Sequence, residues 1–167
     1  LKTAKNRDLS PRLKKLKKSL LIKSPFVKKA SRIYGSSTIC SIIEVVKVDN
    51  QYFITKSNGR DIIYINPLEW AKKLEQFGTG EIILTCVNKE GLKNGFDIPL
   101  INKISKNIKV PVIAHGGAGN FAHVLEVIKK TNINGVAIAS LFHYGLVPKF
   151  EFTKNNIGNF NYLDKVK

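Results

Sequence analysis

The sequence contains little arginine, and this limits what its strong positive charge can mean. Arginine occurs only at positions 7, 12, 32 and 60, so lysine supplies the rest of the 28 basic residues behind the net charge of +16. A charge of this size suits a nucleic-acid partner, but sites that read bases and phosphates rely on the guanidinium fork. Lysine, isoleucine and asparagine are abundant along the whole chain. We therefore interpret the charge as a general compositional bias and do not favour nucleic acid as a partner.

Cysteine, paired histidines and long apolar runs are also scarce. Cys40 and Cys86 are the two cysteines; both lie in segments that predict strands, and no signal peptide precedes them. We expect two buried thiols that serve packing in a reducing cytoplasm rather than a disulfide. No apolar run reaches the length of a membrane-spanning helix, so no membrane partner is expected. His115, His123 and His143 form no i, i+4 pair, and we predict neither a metal nor another cofactor.

Methionine is absent and the chain begins at Leu1, so we expect a fragment of a longer chain. Its 167 residues and 43% hydrophobic content suffice for one domain with a core. We divide the chain into a basic N-terminal arm (1–23), a folded part (24–144) and a polar C-terminal tail (145–167). The arm fits a solvated helix or a remnant of a lost domain half better than an arm that binds membranes or nucleic acid. A basic polyanion-binding module stays open as a function of another class.

A glycine-rich stretch is the most informative part of the sequence. The β-branched run Val110–Ala114 predicts a buried strand, and Gly116, Gly117 and Gly119 follow it closely. Asn120 is a suitable N-cap for a helix Phe121–Lys130, whose apolar face would hold Phe121, Val124, Leu125 and Ile128. A strand, a glycine loop and a helix N-terminus can bind phosphate through free N–H groups. A tight turn without a ligand explains the loop equally well.

The remaining segments alternate between helix and strand patterns. They predict a helix from Ser24-Pro25 to Gly35 with Phe26, Val27, Ala30, Ile33 and Tyr34 on one face, a hairpin of strands Thr38–Val48 and Gln51–Lys56, a helix capped by Asn66 and ending at Phe77, a strand Glu81–Cys86, a helix capped by Asp97 that includes Ile108, and a strand Gly135–Ser140. This order predicts an α/β fold with a parallel sheet and right-handed crossovers. Ligands of such folds bind at the carboxyl ends of the strands.

Five motifs occur in order along the chain with hardly a gap, and they are Phe77–Thr85, Lys89–Gly91, Asn94–Asp97, Pro111–Gly119 and Val136–His143. Together they resemble one enzyme family, the cyclase subunit of imidazole glycerol phosphate synthase. The resemblance implies the C-terminal half of a (βα)8 TIM barrel, strands five to eight, with a β-hairpin insertion after the first of these strands. The segment 1–23 does not look like strands one to four. We therefore expect pairing with a missing N-terminal half-barrel, or self-association through uncovered positions such as Ile42, Ile83 and Ile113.

The resemblance also implies a role for each matching position. Glu44 and Glu90 stand where the family has catalytic aspartates, and alternation along its strand places Glu44 on one face with Cys40 and Ile42. The remaining implied roles are substrate and phosphate binding by Thr85, Gly116, Gly117, Ala139 and Ser140, a loop over the substrate at Asn58 and Gly59, and passage of ammonia at Glu81. Without the resemblance, both glutamates would be interpreted as solvated carboxylates.

The implied activity belongs to histidine biosynthesis. The family adds ammonia from a glutaminase (glutamine amidotransferase) subunit to a phosphorylated ribulosyl aminoimidazole intermediate, closes the imidazole ring and releases a second product. Glutamate in place of aspartate at Glu44 and Glu90, Leu92 in place of threonine, and His115 in place of a small residue are departures from this family. They suit a paralogue that supplies ammonia to a sugar amidotransferase in surface-polysaccharide synthesis. That alternative stays open beside the cyclase.

Overall fold

The computed structural model describes residues 26–57 and 59–142. The predicted basic arm, the polar tail and Asn58 lie outside these residues, so the three-part division of the chain stays a prediction. Within the described ranges, no helix is long and apolar enough to cross a membrane.

Six strands form a single sheet in the order β3-β2-β1-β4-β5-β6. Their bounds are β1 Cys40–Val48, β2 Gln51–Lys56, β3 Asp61–Ile63, β4 Glu81–Cys86, β5 Val112–His115 and β6 Gly135–Ala137. β1, β4, β5 and β6 run parallel, whereas β2 and β3 extend the sheet as antiparallel neighbours of β1. The predicted α/β class, the parallel sheet and the hairpin after its first strand are confirmed.

Helices connect the parallel strands. Residues 26–34 form α1, a 3-10 turn covers Ser36–Thr38, and the later helices are α2 Pro67–Gln76, α3 Ile98–Ser105 and α4 Phe121–Lys130. The three predicted caps are confirmed, because the side chains of Asn66, Asp97 and Asn120 accept hydrogen bonds from the backbone N–H of the first turns, at 2.9–3.0 Å. Such a cap stabilises a helix by about 1 kcal/mol.

The hydrophobic core lies between one face of the sheet and the helices. It includes Ile43 and Val45 of β1, Ile82 and Leu84 of β4, Val112 and Ala114 of β5, Trp70 and Leu74 of α2, and Ile101 and Ile104 of α3. The alternate residues of β1 point away from this core, and Ile42 among them is 64% exposed. The predicted common face of Cys40, Ile42 and Glu44 is confirmed, and we call this side of the sheet its open face.

A side chain of α2 holds the loop that leads into β5. The Glu75 Oε1 atom accepts hydrogen bonds from the backbone N–H of Lys109 at 2.6 Å and of Val110 at 3.2 Å. Pro111 has no N–H to give to the hydrogen-bond ladder of the sheet, and β5 begins at Val112, two residues after the start of the predicted run Val110–Ala114.

Several expectations about burial were wrong. Cys40 is exposed, because it lies on the open face, whereas Cys86 is buried as expected. α4 buries Val127 and leaves Phe121, Leu125 and Ile128 of its predicted apolar face 73%, 46% and 53% exposed. The apolar face of α4 is wider than the part of the helix surface that packs against the sheet. The same applies to α1, where Ala30 is buried and Phe26, Ile33 and Tyr34 are exposed.

Some element limits also differ from expectation. The three-residue strand β3 was not predicted, because Asp61 and the loop residues beside it do not form a strand pattern. The strand is defined by its pairing with β2. β6 ends at Ala137 instead of Ser140, because residues 140–142 already turn as a helix. α3 ends at Ser105, and Ile108 packs against the core from beyond its C-terminus.

Candidate functional site

A row of polar residues crosses the open face near the carboxyl ends of the parallel strands. The strand register places Thr55 beside Glu44, Glu44 beside Thr85, and Thr85 beside His115. Ala137 of β6 is the next neighbour of His115. We call Thr55, Glu44, Thr85 and His115 the polar row. It lies at the edge of the sheet where ligands of parallel α/β folds bind.

Two atoms of the polar row are buried without a hydrogen-bond partner among the described residues, Glu44 Oε2 and Thr55 Oγ1. At the other end, Thr85 Oγ1 and His115 Nδ1 form a hydrogen bond of 3.0 Å. Leaving a buried polar atom unpaired costs about 1–3 kcal/mol, and more for a charged group. Such atoms are therefore informative, because a bound molecule could satisfy them.

A cleft of about 210 Å³ opens beside the polar row. Its lining residues are Glu90, Gly91, His115, Gly116, Gly117, Ala118, Ala137, Ile138, Ala139 and Ser140. They come from the loop after β4, the glycine loop after β5 and the turn after β6. The cleft thus lies where three successive carboxyl strand ends meet.

Backbone conformation in the glycine loop requires glycine. Gly117 has φ +113°, and a Cβ atom on it would clash with the carbonyl group of Gly95. The Gly95 N–H donates to the Gly117 carbonyl at 2.8 Å, which ties the glycine loop to the end of the loop after β4. The His123 Nδ1 atom also accepts from the Gly119 N–H, at 3.2 Å. These bonds hold the loop in a shape that leaves backbone groups around the cleft.

The structure brings most of the predicted site residues to one edge. Glu90, Gly116, Gly117, Ala139 and Ser140 line the cleft, and Thr85 forms a hydrogen bond with His115, which is also a lining residue. Glu44 lies in the polar row, two strands from His115.

Two further predicted positions lie away from the cleft. Gly59 lies against Val87, at the start of the loop that carries Glu90, because a Cβ atom on it would be 2.7 Å from Val87 Cγ1. Glu81 pairs with Cys40 at the amino ends of the strands, so the structure separates it from the cleft along β4.

A buried network that sequence reasoning missed anchors the loop after β4. The Tyr52 hydroxyl donates to Asp97 Oδ1 at 2.8 Å, and the Cys86 thiol donates to Asp97 Oδ2 at 3.7 Å. Burial first, and then the Asp97 carboxylate, raise the pKa of Cys86 to about 11 and also raise the pKa of Tyr52. Cys86 precedes the loop and Asp97 follows it, so this network fixes both ends of the segment that carries Glu90.

His115 lines the cleft, as its place beside the glycine loop suggested, although the sequence did not assign it a binding role. Its contact with Thr85 depends on the register between β4 and β5. The signal available in the sequence was that both residues end apolar runs that predict parallel strands. Within residues 26–57 and 59–142, no group of three histidine, cysteine, aspartate or glutamate side chains could hold a metal ion.

Comparison with known proteins relates this geometry to a family. The sequence model of the family described as "Histidine biosynthesis protein" matches residues 16–148. The chain belongs to this family. Histidine biosynthesis proteins have the TIM-barrel fold, and the parallel strands β1, β4, β5 and β6 with their intervening helices are compatible with four strands of such a barrel.

Curated relatives agree with the family. The imidazole glycerol phosphate synthase subunit HisF of Bacillus cereus (strain Q1) is 37% identical over 129 residues, which are 76% of this chain and 51% of the relative. The subunit of the same name from Streptococcus mutans serotype c is 36% identical over 130 residues, 77% of this chain and 52% of the relative. The chain therefore spans about half the length of the curated relatives it matches.

Proposed function

We propose that this chain forms the carboxylate and phosphate-binding half of the cyclase site of imidazole glycerol phosphate synthase, in histidine biosynthesis. The family match and the printed names of the relatives support this proposal. The observation that carries it is that Glu44, Glu90 and a backbone-lined cleft lie together at the carboxyl edge of the sheet. This combination provides proton-transfer groups beside a seat for a phosphorylated substrate.

Each group has a role in the proposed reaction. Glu44 and Glu90 are the groups that exchange protons with the ribulosyl aminoimidazole intermediate while ammonia is added and the imidazole ring closes. One terminal phosphate would bind the backbone N–H groups of Gly116, Gly117, Ala139 and Ser140, which line the cleft. Thr85 positions the ring of His115 through the hydrogen bond to Nδ1. Asn58, which lies outside the described residues, and Gly59 belong to the loop that would fold over the substrate.

The opposite edge of the sheet is the proposed route for ammonia. Glu81 and Cys40 lie at the amino ends of β4 and β1 on the open face. A glutaminase subunit docked at this edge would deliver ammonia along the open face toward the polar row. The proposal therefore includes a glutamine amidotransferase partner and a second half-barrel that covers the open face.

The ammonia-supplying paralogue is the second candidate, and His115 favours it. An imidazole ring lines the cleft where the cyclase family has a small residue, and glutamates replace both aspartates. In that case the chain would bind phosphate and pass ammonia to a sugar amidotransferase without cyclase turnover. Both candidate functions use the cleft and the route for ammonia at the amino ends of the strands. They differ in whether Glu44 takes part in proton transfer during ring closure.

The phosphate seat can be tested by thermal unfolding with inorganic phosphate at tens of millimolar. Because an anion that binds only the folded state stabilises it by mass action, the wild-type melting temperature should rise. Gly117→Ala should lose this rise, since its Cβ atom would displace the loop at Gly95. Gly35→Ala is the matched control, because Gly35 also has a positive φ, +85°, but a Cβ atom on it would meet nothing within 4 Å. No rise in the wild type, or an equal rise in Gly117→Ala, would contradict the proposal.

A further inference from the structure

We propose that His115 is a specificity-determining residue of the cleft, and that its Nε2–H group donates to the bound phosphate oxygen and makes anion binding depend on pH. This inference rests on the proposed phosphate seat and adds to it a side chain that selects the ligand's charge. It assigns a role to a residue at which this chain departs from the family it resembles.

The charge of the cleft is the first argument. Among the described residues that line it, only His115 and Glu90 carry ionisable side chains. A dianion held near Glu90 experiences repulsion that neutral backbone N–H groups only partly offset. No lysine or arginine is among the described residues of the lining. His115 is therefore the lining side chain that can become positive and balance the anion.

The orientation of the ring is the second argument. His115 Nδ1 lies 3.0 Å from Thr85 Oγ1, so this hydrogen bond fixes one nitrogen of the ring against β4. Nε2 is the opposite nitrogen, and no described residue forms a hydrogen bond with it. When the Thr85 hydroxyl donates to Nδ1, the neutral ring carries its proton on Nε2. Both the neutral form and the cation can then donate to an anion in the cleft.

Other ionisable groups lie around His115, and the experiment must distinguish their effect on anion binding from that of His115. Glu90 comes from the loop after β4 and lines the same cleft. Glu44 is in the polar row on β1, beyond Thr85. His123 of α4 accepts from the Gly119 N–H at the other end of the glycine loop. The Lys93 carbonyl lies beside Gly119, where a Cβ atom would meet it.

Sulfate is the probe that isolates the protein's own titration, because it stays a dianion between pH 5.5 and pH 8, whereas inorganic phosphate changes charge there. Histidine is the side chain that gains charge over this range. We expect the full chain to bind sulfate about tenfold more tightly at pH 5.5 than at pH 8, the effect of one charge-assisted hydrogen bond. His115→Gln, which keeps hydrogen-bonding capacity but does not titrate, should bind sulfate with the same affinity at both pH values.

His123→Gln is the matched control, since it removes a histidine that supports the loop but does not line the cleft, and it should keep the pH dependence. A second measurement does not need a variant: the ¹⁵N resonances of the His115 ring in the wild type should move toward the protonated form when sulfate is added at constant pH. Sulfate binding that does not change with pH in the wild type, or that changes equally in His115→Gln, overturns the inference while leaving the phosphate seat intact. An absence of both sulfate and phosphate binding overturns the proposed seat itself.

Discussion

Asp97 connects three parts of the molecule through one carboxylate. One oxygen caps α3 through the Leu100 N–H at 3.0 Å and also accepts from the Tyr52 hydroxyl, and the other oxygen accepts from the Cys86 thiol. The cap was predictable from local sequence, whereas the two side-chain donors come from β2 and β4. The position of the Glu90 loop therefore depends on a residue that sequence reasoning assigned only to a helix end.

The Cys86 thiol should make the fold sensitive to alkali. Its pKa is raised from 9.0 to about 11 in the folded state, so the folded protein keeps this proton when the unfolded chain has lost it. The contribution is complete below pH 9 and is lost as pH rises to about 11. A pKa difference of this size corresponds to about 2–3 kcal/mol of unfolding free energy. Urea unfolding at pH 8, 10 and 11 should show a smaller loss of stability with pH in Cys86→Ala than in the wild type.

Cys40→Ala is the control for this measurement, because Cys40 is exposed on the open face and should leave most of the alkaline loss in place. Equal pH dependence of the wild type and Cys86→Ala would show that the buried thiol is not the titrating group.

Local chemistry explains which single residues could be predicted. Asn66, Asp97 and Asn120 act within one turn of their own positions, so their caps follow from spacing alone. The exposure of Cys40 depends on what covers the open face, and the contact of His115 with Thr85 depends on pairing between separate strands. Neither is encoded in nearby sequence.

The open face of the sheet leaves a large apolar side chain uncovered among the described elements. Ile42 of β1 is 64% exposed, and its register neighbours Ile83 and Ile113 are partly buried. The predicted uncovered positions are therefore confirmed most strongly at Ile42. A large apolar side chain at the centre of a sheet face favours association with a second surface.

The isolated chain should self-associate through this face, and Ile42→Lys should weaken that association. Burying one isoleucine side chain is worth about 1.5–3 kcal/mol, which corresponds to at least about a tenfold change in the dissociation constant. Sedimentation velocity at micromolar concentrations measures the change. Ile33→Lys is the matched control, since Ile33 of α1 is 60% exposed but lies outside the open face. A wild-type chain that stays monomeric, or equal weakening by both variants, would contradict this account.

Helices and strands with long hydrophobic patterns were predicted better than short ones. The limits of β4 and α4 agree with the sequence prediction, because both segments have clear boundaries: Gly80 precedes β4, and Asn120 caps α4. β3 has only three residues and pairs with β2 through tertiary context. The face of α4 that is buried could not be predicted either, because a wide apolar stripe allows more than one rotation against the sheet.

In the proposed function, the described part of the chain separates two tasks along the same strands, the chemistry on the substrate and the entry of ammonia. The carboxyl edge holds the cleft, Glu90 and the polar row, and the amino edge holds Glu81. The chain spans about half the length of its curated relatives, and the cyclase as proposed needs carboxylates from both halves of a barrel. The motifs around the glycine loop were enough to predict this architecture, because a strand, its loop and the next helix are contiguous in sequence. Under this proposal, the site becomes chemically complete only when a second half-barrel is present.

The most direct measurement is ammonia-dependent turnover of the phosphorylated ribulosyl aminoimidazole intermediate by this chain mixed with the N-terminal half-barrel of the Bacillus cereus relative. We predict no turnover by either component alone and measurable turnover by the mixture. Glu44→Gln should lower that turnover by about 10²–10⁴-fold, the usual contribution of a general acid–base group, and should leave phosphate binding unchanged. A mixture that binds the intermediate but forms no imidazole product, in the wild type and in Glu44→Asp alike, would contradict the cyclase assignment and favour the ammonia-supplying paralogue.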